Sequence, residues 1–252
     1  MRCTTSMTNA MVLAGVLFLL LAPYPAAGDD AAAIVTMVDG KASVYNKGDK
    51  TGTLLKKKDP VRKGQEVRVG ERSRLELKYP DGTVIRFAEG SRVVMDELSF
   101  DRSTQNKNVR VNVGFGKIWA KVKKLMTADS KVEVKTVNAV AGVRGTTYRV
   151  NVEEDSSALI RVYDGSVDVS GMQPSPVPAQ PQGLAPVPVP GPHEVPPPYH
   201  EVTMEEWHVI VKSFQQVTVS AKGVASEPRD FSVQQDLDDW VKWNQERDGQ
   251  YQ

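Results

Sequence analysis

The sequence predicts an all-β fold, an antiparallel sandwich or roll of the jelly-roll or double-stranded β-helix kind. Three observations carry this. Apolar and polar residues alternate with period two between residues 33 and 170. Asp-Gly recurs between apolar runs, at Asp39-Gly40, Asp81-Gly82 and Asp164-Gly165. Helical periodicity is nearly absent there, and turn signals return every ~8–12 residues, the spacing of short strands in sandwiches and barrels.

Ile34–Val38 enters Asp39-Gly40 and Lys41–Tyr45 leaves it. Glycine accepts positive φ, so Asp-Gly between apolar runs is a short hairpin signal. Leu75–Tyr79 and Thr83–Phe87 flank Asp81-Gly82 in the same way, as do Leu159–Tyr163 and Ser166–Val169 around Asp164-Gly165. Between them, Val67–Val69, Val93–Met95, Val109–Val113, Lys117–Val122, Lys131–Thr136 and Thr146–Val152 read as further strands. The polar alternates are mostly Lys, Arg and Glu, as a solvated sheet face requires. A body of ~140 residues buries about two-thirds of its unfolded surface, so its core suffices without disulfides.

The whole chain has 252 residues, 25% charged and 40% apolar, with a net charge of +1 and a single cysteine, Cys3. Those values exclude a polytopic membrane protein, a collagen and a disulfide-held scaffold. The near-neutral balance argues against a nucleic-acid partner. Residues 1–28 read as a secretory signal peptide: Arg2 in the n-region, an apolar run from Met11 to Ala22, then Pro23, Pro25 and Ala26-Ala27-Gly28. The apolar run is too short for a bilayer span of ~20 residues. Cleavage between Gly28 and Asp29 removes Cys3 and leaves a mature chain with no transmembrane helix, in the periplasm or secreted.

Charge then divides the chain. Residues 29–172 hold 26 Lys and Arg against 20 Asp and Glu; residues 173–252 hold 5 against 11. Residues 173–198 carry proline every two to four positions and read as a disordered polyproline linker or a docking ligand; Pro186–Pro190 also reads as an edge strand. Residues 199–252 form an acidic tail with two expected short helices. The first starts at Thr203, with Glu206 completing a capping box, and runs to Lys212. The second spans Asp236–Arg247, with Trp240 and Trp243 on one face. Val217–Val219 reads as a strand between them. The opposite charges allow the tail to fold back on the basic body or to meet a different partner.

One segment is more specific. Thr136-Val137-Asn138-Ala139-Val140-Ala141-Gly142-Val143-Arg144-Gly145-Thr146 resembles the signature of the FecR-like periplasmic domain. Lys63–Val67, the Ser73–Leu77 and Pro80–Thr83 hairpin, Val113–Ile118 and Asp164–Val167 follow in the family's order, so the resemblance covers about residues 60–170 of a β-domain at 29–172. It implies an extracytoplasmic β-domain that binds an envelope protein. The archetype's cytoplasmic sigma-factor segment and membrane helix have no counterpart in this sequence, so that role is not carried over. Cell-wall glycan is the second ligand class, with Trp119, Trp240 and Trp243 as contacts; a glycan-processing enzyme is a remote third.

Asn138, Gly142, Val143, Arg144, Gly145 and Thr146 are the signature positions. The residues themselves place Arg144 among apolar neighbours, where a guanidinium needs partners. Those partners are either internal (Glu76, Asp81, Glu89, Asp164 or backbone carbonyls) or the carboxylate of a ligand. Lysine lacks the planar fork and is expected to damage either arrangement. No catalytic constellation, cofactor site or metal site is expected. His193, His200 and His208 are not at zinc-motif spacing. Asp96-Glu97 and Glu153-Glu154-Asp155 are adjacent in strand patterns and point to opposite faces. Lys56–Lys58 and Lys121–Lys124 read as solvated edges or as contacts to anionic polymer.

Overall fold

The computed structural model describes residues 33–101, 103–124, 127–174 and 204–250. The expected leader with its cut at Gly28 and Asp29, the proline-rich run beyond Pro174, His193 and His200 lie outside the described residues.

The described chain is all-β with one terminal helix. Its strands are β1 (Ala33–Asp39), β2 (Ala42–Tyr45), β3 (Thr53–Leu54), β4 (Pro60–Val61), β5 (Glu66–Val69), β6 (Arg74–Lys78), β7 (Val84–Phe87), β8 (Arg92–Asp101) and β9 (Asn106–Lys121). They continue with β10 (Lys131–Lys135), β11 (Val140–Val143), β12 (Thr147–Val152), β13 (Ala158–Asp164), β14 (Ser166–Pro174), β15 (Met204–Lys212), β16 (Gln215–Val219) and β17 (Arg229–Asp230); the helix is α1 (Asp239–Gly249).

Two sheets share β9. The first runs β4-β1-β6-β7-β9-β12-β13-β16-β17. The second runs β3-β2-β5-β8-β9-β10-β11-β14-β15. The N-terminal part of β9 belongs to the second sheet and its C-terminal part to the first. Changing sheets requires a change of alternation, because a strand's side chains alternate strictly between faces. Val109, Val111 and Val113 point inward, and then Ile118 and Ala120 do. Gly116 absorbs the shift at φ +101°; a Cβ there would lie 2.5 Å from Ser91 Cα. Between the sheets lies one core, with Leu75, Ile85, Ile118 and Val150 from the first and Val67, Val93, Val111, Val134 and Val169 from the second. Each such side chain contributes ~1.5–3 kcal/mol.

Four expectations are corrected. Asp39-Gly40 and Asp164-Gly165 do not close hairpins: β1 and β13 lie in the first sheet, β2 and β14 in the second, so both glycines, at φ +80° and +89°, turn corners between sheets. Asp81-Gly82 does close a hairpin, β6 to β7. The sheets are not purely antiparallel, since β9 and β10 run parallel in register Lys131↔Asn108 to Lys135↔Asn112. The connection after Lys121 returns from the first sheet to the second, and such a crossover is what a parallel pair needs. The segment expected as a helix up to Lys212 is β15, hydrogen-bonded to β14 from Ser166↔Lys212 to Pro174↔Met204. Its alternation, with Val211 buried and His208 and Ile210 exposed, outweighs the capping box.

The charge boundary near residue 172 is also not a boundary in the fold, because β15 extends the second sheet and β16 the first. The second expected helix is present as α1. Asp238 caps it, its carboxylate accepting from Val241 N at 2.7 Å. Among the described residues no helix is long and apolar enough to cross a membrane.

Candidate functional site

The signature residues lie at the seam where the chain passes from the second sheet into the first. Val143, 4% exposed, ends β11 in register with Val132 and Val167. Arg144 and Gly145 form the corner, and Thr146 enters β12. Gly145 has φ +70°, and a Cβ on it would lie 3.0 Å from Lys124 Cα, so the corner demands glycine. Thr146 is buried; its hydroxyl donates to Ser166 O at 2.8 Å, joining this corner to the one at Gly165. Asn138 secures the opposite end of the seam. Its Nδ2 faces three carbonyl oxygens, of Ser156 at 3.2 Å, Ser220 at 3.4 Å and Ala221 at 3.1 Å.

Arg144 is not the buried cation that its apolar neighbours suggested. It is exposed, and its Nη2 donates to Ala128 O at 2.9 Å, pinning the β9–β10 crossover to the corner. Three of the four carboxylates named as its partners bond elsewhere. Glu76 bonds Arg86 and Arg247, Asp81 bonds Lys107, and Glu89 accepts from Arg72 N. A corner turns its side chain outward, and neighbouring valines in sequence do not change that.

Gly142 differs from Gly145. It lies mid-strand with no positive φ, and an added Cβ would meet nothing closer than Asp168 O at 3.8 Å. Neither backbone nor packing needs glycine there, although glycine weakens a strand by ~0.5–1 kcal/mol relative to alanine. Its effect is on the outward face of the second sheet. The row across that face reads Glu97, Arg110, Glu133, Gly142, Asp168, Ile210. The bare position opens a groove of about 370 Å³ between the Glu133 and Asp168 side, with Lys131, Arg144 and Ala128 at one end. A second hollow, about 450 Å³, continues it over Arg110 and Glu97. Arg110 Nε holds Glu133 at 2.7 Å; that bond keeps the guanidinium pKa above its ordinary value. Asp168 is open to solvent, with His208 Nδ1 3.6 Å away. The groove thus presents cations at its end and carboxylates along its sides.

The expected aromatic contacts lie elsewhere, on the outward face of the first sheet, and two are covered. Trp119 is 1% exposed beneath α1, and its Nε1 donates to Asp248 at 3.0 Å. Trp240 is 7% exposed and stacks on Trp243 with ring centroids 5.3 Å apart. Neither buried ring offers a face to a sugar in this arrangement. Glu133 and Asp168 were missed at the sequence level. Their signal was there: outward positions of period-two strands flanking a mid-strand glycine.

Residues 65–168 match the family model described as FecR protein. No curated protein matches the chain. Two crystal structures, at 1.65 and 2.50 Å, described as a "putative anti-sigma factor" from Parabacteroides distasonis, are similar at 17% identity and a TM-score of 0.42. The match covers 67% of this chain and spans 61% of theirs.

Proposed function

We propose, from the premise that residues 65–168 are a FecR domain, that the chain is an extracytoplasmic, non-catalytic binding and scaffolding module that recognises a protein of the cell envelope. The leader expected at residues 1–28 supports the location, and the groove over Gly142 supports the role. One observation carries the reading: Gly142 is a glycine that the fold does not need, placed where a side chain would fill the groove. A ligand backbone can approach such a position closely. Strand-borne side chains fix the groove walls, so the surface is presented rigidly, and Arg144 holds the crossover at its end.

The test compares wild type with Gly142→Leu, which fills the groove on a backbone that tolerates a Cβ. In pull-downs from the envelope fraction, wild type retains a defined protein that Gly142→Leu loses, while the two melt within a few degrees of each other. Equal retention by both would remove the groove from the reading. N-terminal sequencing of the exported chain, expected to begin at Asp29, tests the location; a mature chain that keeps Met1 and stays in the cytoplasm would refute it.

A further inference from the structure

The outward face of the first sheet carries charge where a helix covers it. Directly opposed residues form one row across it: Glu76, Arg86, Trp119, Arg149, Arg161 and Gln216. Three guanidiniums in six positions is an unusual floor for a helix, since opposed like charges destabilise a sheet. The chain after β17 adds carboxylates to this row. Asp236 accepts from Arg149, from Arg161 and, at 2.5 Å, from the Tyr163 hydroxyl. Asp248 accepts from Arg86 at 2.8 Å. Arg247 joins Arg86 on Glu76, at 2.9 and 2.6 Å.

Polar contacts do more than apolar burial to hold this segment. Trp240 and Val241 are its buried apolar side chains in α1, Phe231, Val233 and Trp243 pack at the margin, and Asp248 and Asn244 bond Trp119, Lys121 and Arg86. Desolvating paired charges offsets much of their attraction, so such a contact is weaker than an apolar one of equal area. The segment also leaves the face incompletely satisfied. Arg149 is 3% exposed, yet its Nε and Nη1 have no hydrogen-bond partner among the described residues, and the nearest further carboxylate, Asp238, stands 3.8 Å from Nη1. Its tether is short: β17 adds only two register pairs to the sheet, Gln215↔Asp230 and Gln216↔Arg229.

The geometry points to this face as a docking surface for an acidic, tryptophan-bearing helix of a protein partner, occupied in this chain by its own segment 231–249, which the partner's helix displaces. Charge complementarity defines that helix and its lead-in: a carboxylate just ahead of the helix for the Arg149 and Arg161 pair, a second in its last turn for Arg86, and an indole between. This surface is independent of the groove over Gly142.

Two measurements test it. Hydrogen exchange of the whole chain reads release directly. The α1 amides exchange at least ~100-fold faster than those of β12 and β13. Exchange of α1 at the rate of the core would overturn the proposal. The second probe is a labelled synthetic peptide of residues 229–250. It binds the Asp236→Asn/Asp248→Asn chain at least ~10-fold more tightly than wild type, whose face is occupied, and a peptide with asparagine at 236, 238 and 248 binds neither. Equal binding of the acidic and neutral peptides overturns it. So does a concentration-dependent dimer of the variant chain, which would assign the face to a second copy. A variant that does not fold leaves the exchange measurement to decide.

Discussion

Arg149 and Arg161 stand directly opposite one another on β12 and β13, and the carboxylate of Asp236 bonds both. Two guanidiniums at cross-strand positions repel, so this carboxylate sets the local balance. Asp236→Asn leaves both facing each other without it. Breaking a buried pair from one side costs ~3–5 kcal/mol. The cost is capped by what docking of the segment is worth, because its departure lets water reach both groups. The expected outcome is a red-shifted tryptophan emission, as Trp119 and Trp240 become wet, with the far-ultraviolet signature of the sheets retained. An unshifted emission maximum would show that Asp236 does not hold the segment.

The three glycines of the seam separate by what surrounds them. Gly145→Ala and Gly165→Ala each force a Cβ onto positive φ and within 3.0 Å of a neighbour, Lys124 Cα for the first and Gly145 O for the second. Each is expected to cost ~1–3 kcal/mol, read as a lower denaturant midpoint at constant slope. Gly142→Ala has neither problem and restores ordinary strand conformation, so it is expected to be neutral or to stabilise by up to ~1 kcal/mol. A loss of 2 kcal/mol or so at Gly142 would mean that the fold needs this glycine.

Asp81-Gly82 and Asp164-Gly165 show how far sequence reaches. Both read as hairpins, and the local turn is present at both, with glycine at positive φ. Whether the outgoing strand returns beside its predecessor or crosses to the facing sheet is decided by distant partners, Phe87 against Ile118 in one case and Val167 against Val143 and Val211 in the other. Alternation was legible everywhere, including in β15, where Trp207, Val209 and Val211 should have outvoted a capping box. The seam was legible as a motif, while the exposure of Arg144 was not, since a corner's direction is a tertiary property. The contact of Asp248 with Arg86 joins residues far apart in the chain; only the opposite charge of the two regions hinted at it.

Three tyrosines make the protein sensitive to alkali. Burial pushes the phenols of Tyr79, Tyr148 and Tyr163 up, helped at Tyr79 by the Asp81 carboxylate and at Tyr163 by its bond to Asp236, against the pull of Arg149 and Arg161. An unfolded phenol ionises near pH 10. A folded value above the unfolded one means that the stabilisation is complete below about pH 10 and is lost as pH rises beyond it. Phenolate absorbance should therefore show these three ionising together, in step with loss of structure. Independent ionisation of all three in the folded chain would contradict their burial. Tyr148 is 0% exposed and its hydroxyl has no hydrogen-bond partner among the described residues. Tyr148→Phe removes that unpaired group and is expected to stabilise by ~1 kcal/mol.

Arg144 gives the last prediction. A guanidinium in a buried bidentate pair does not tolerate lysine, and that was the expectation from its sequence neighbours. In the structure the side chain is exposed and holds the crossover through one bond, Nη2 to Ala128 O at 2.9 Å. An ammonium on a four-carbon stem can make a single bond to a carbonyl, whereas alanine cannot. Arg144→Lys should therefore cost less than ~0.5 kcal/mol and Arg144→Ala ~0.5–1.5 kcal/mol, with faster amide exchange confined to residues 127–130 in the alanine variant. If lysine proves as damaging as alanine, the planar fork itself is in use, and a ligand's carboxylate in the groove becomes the partner to look for.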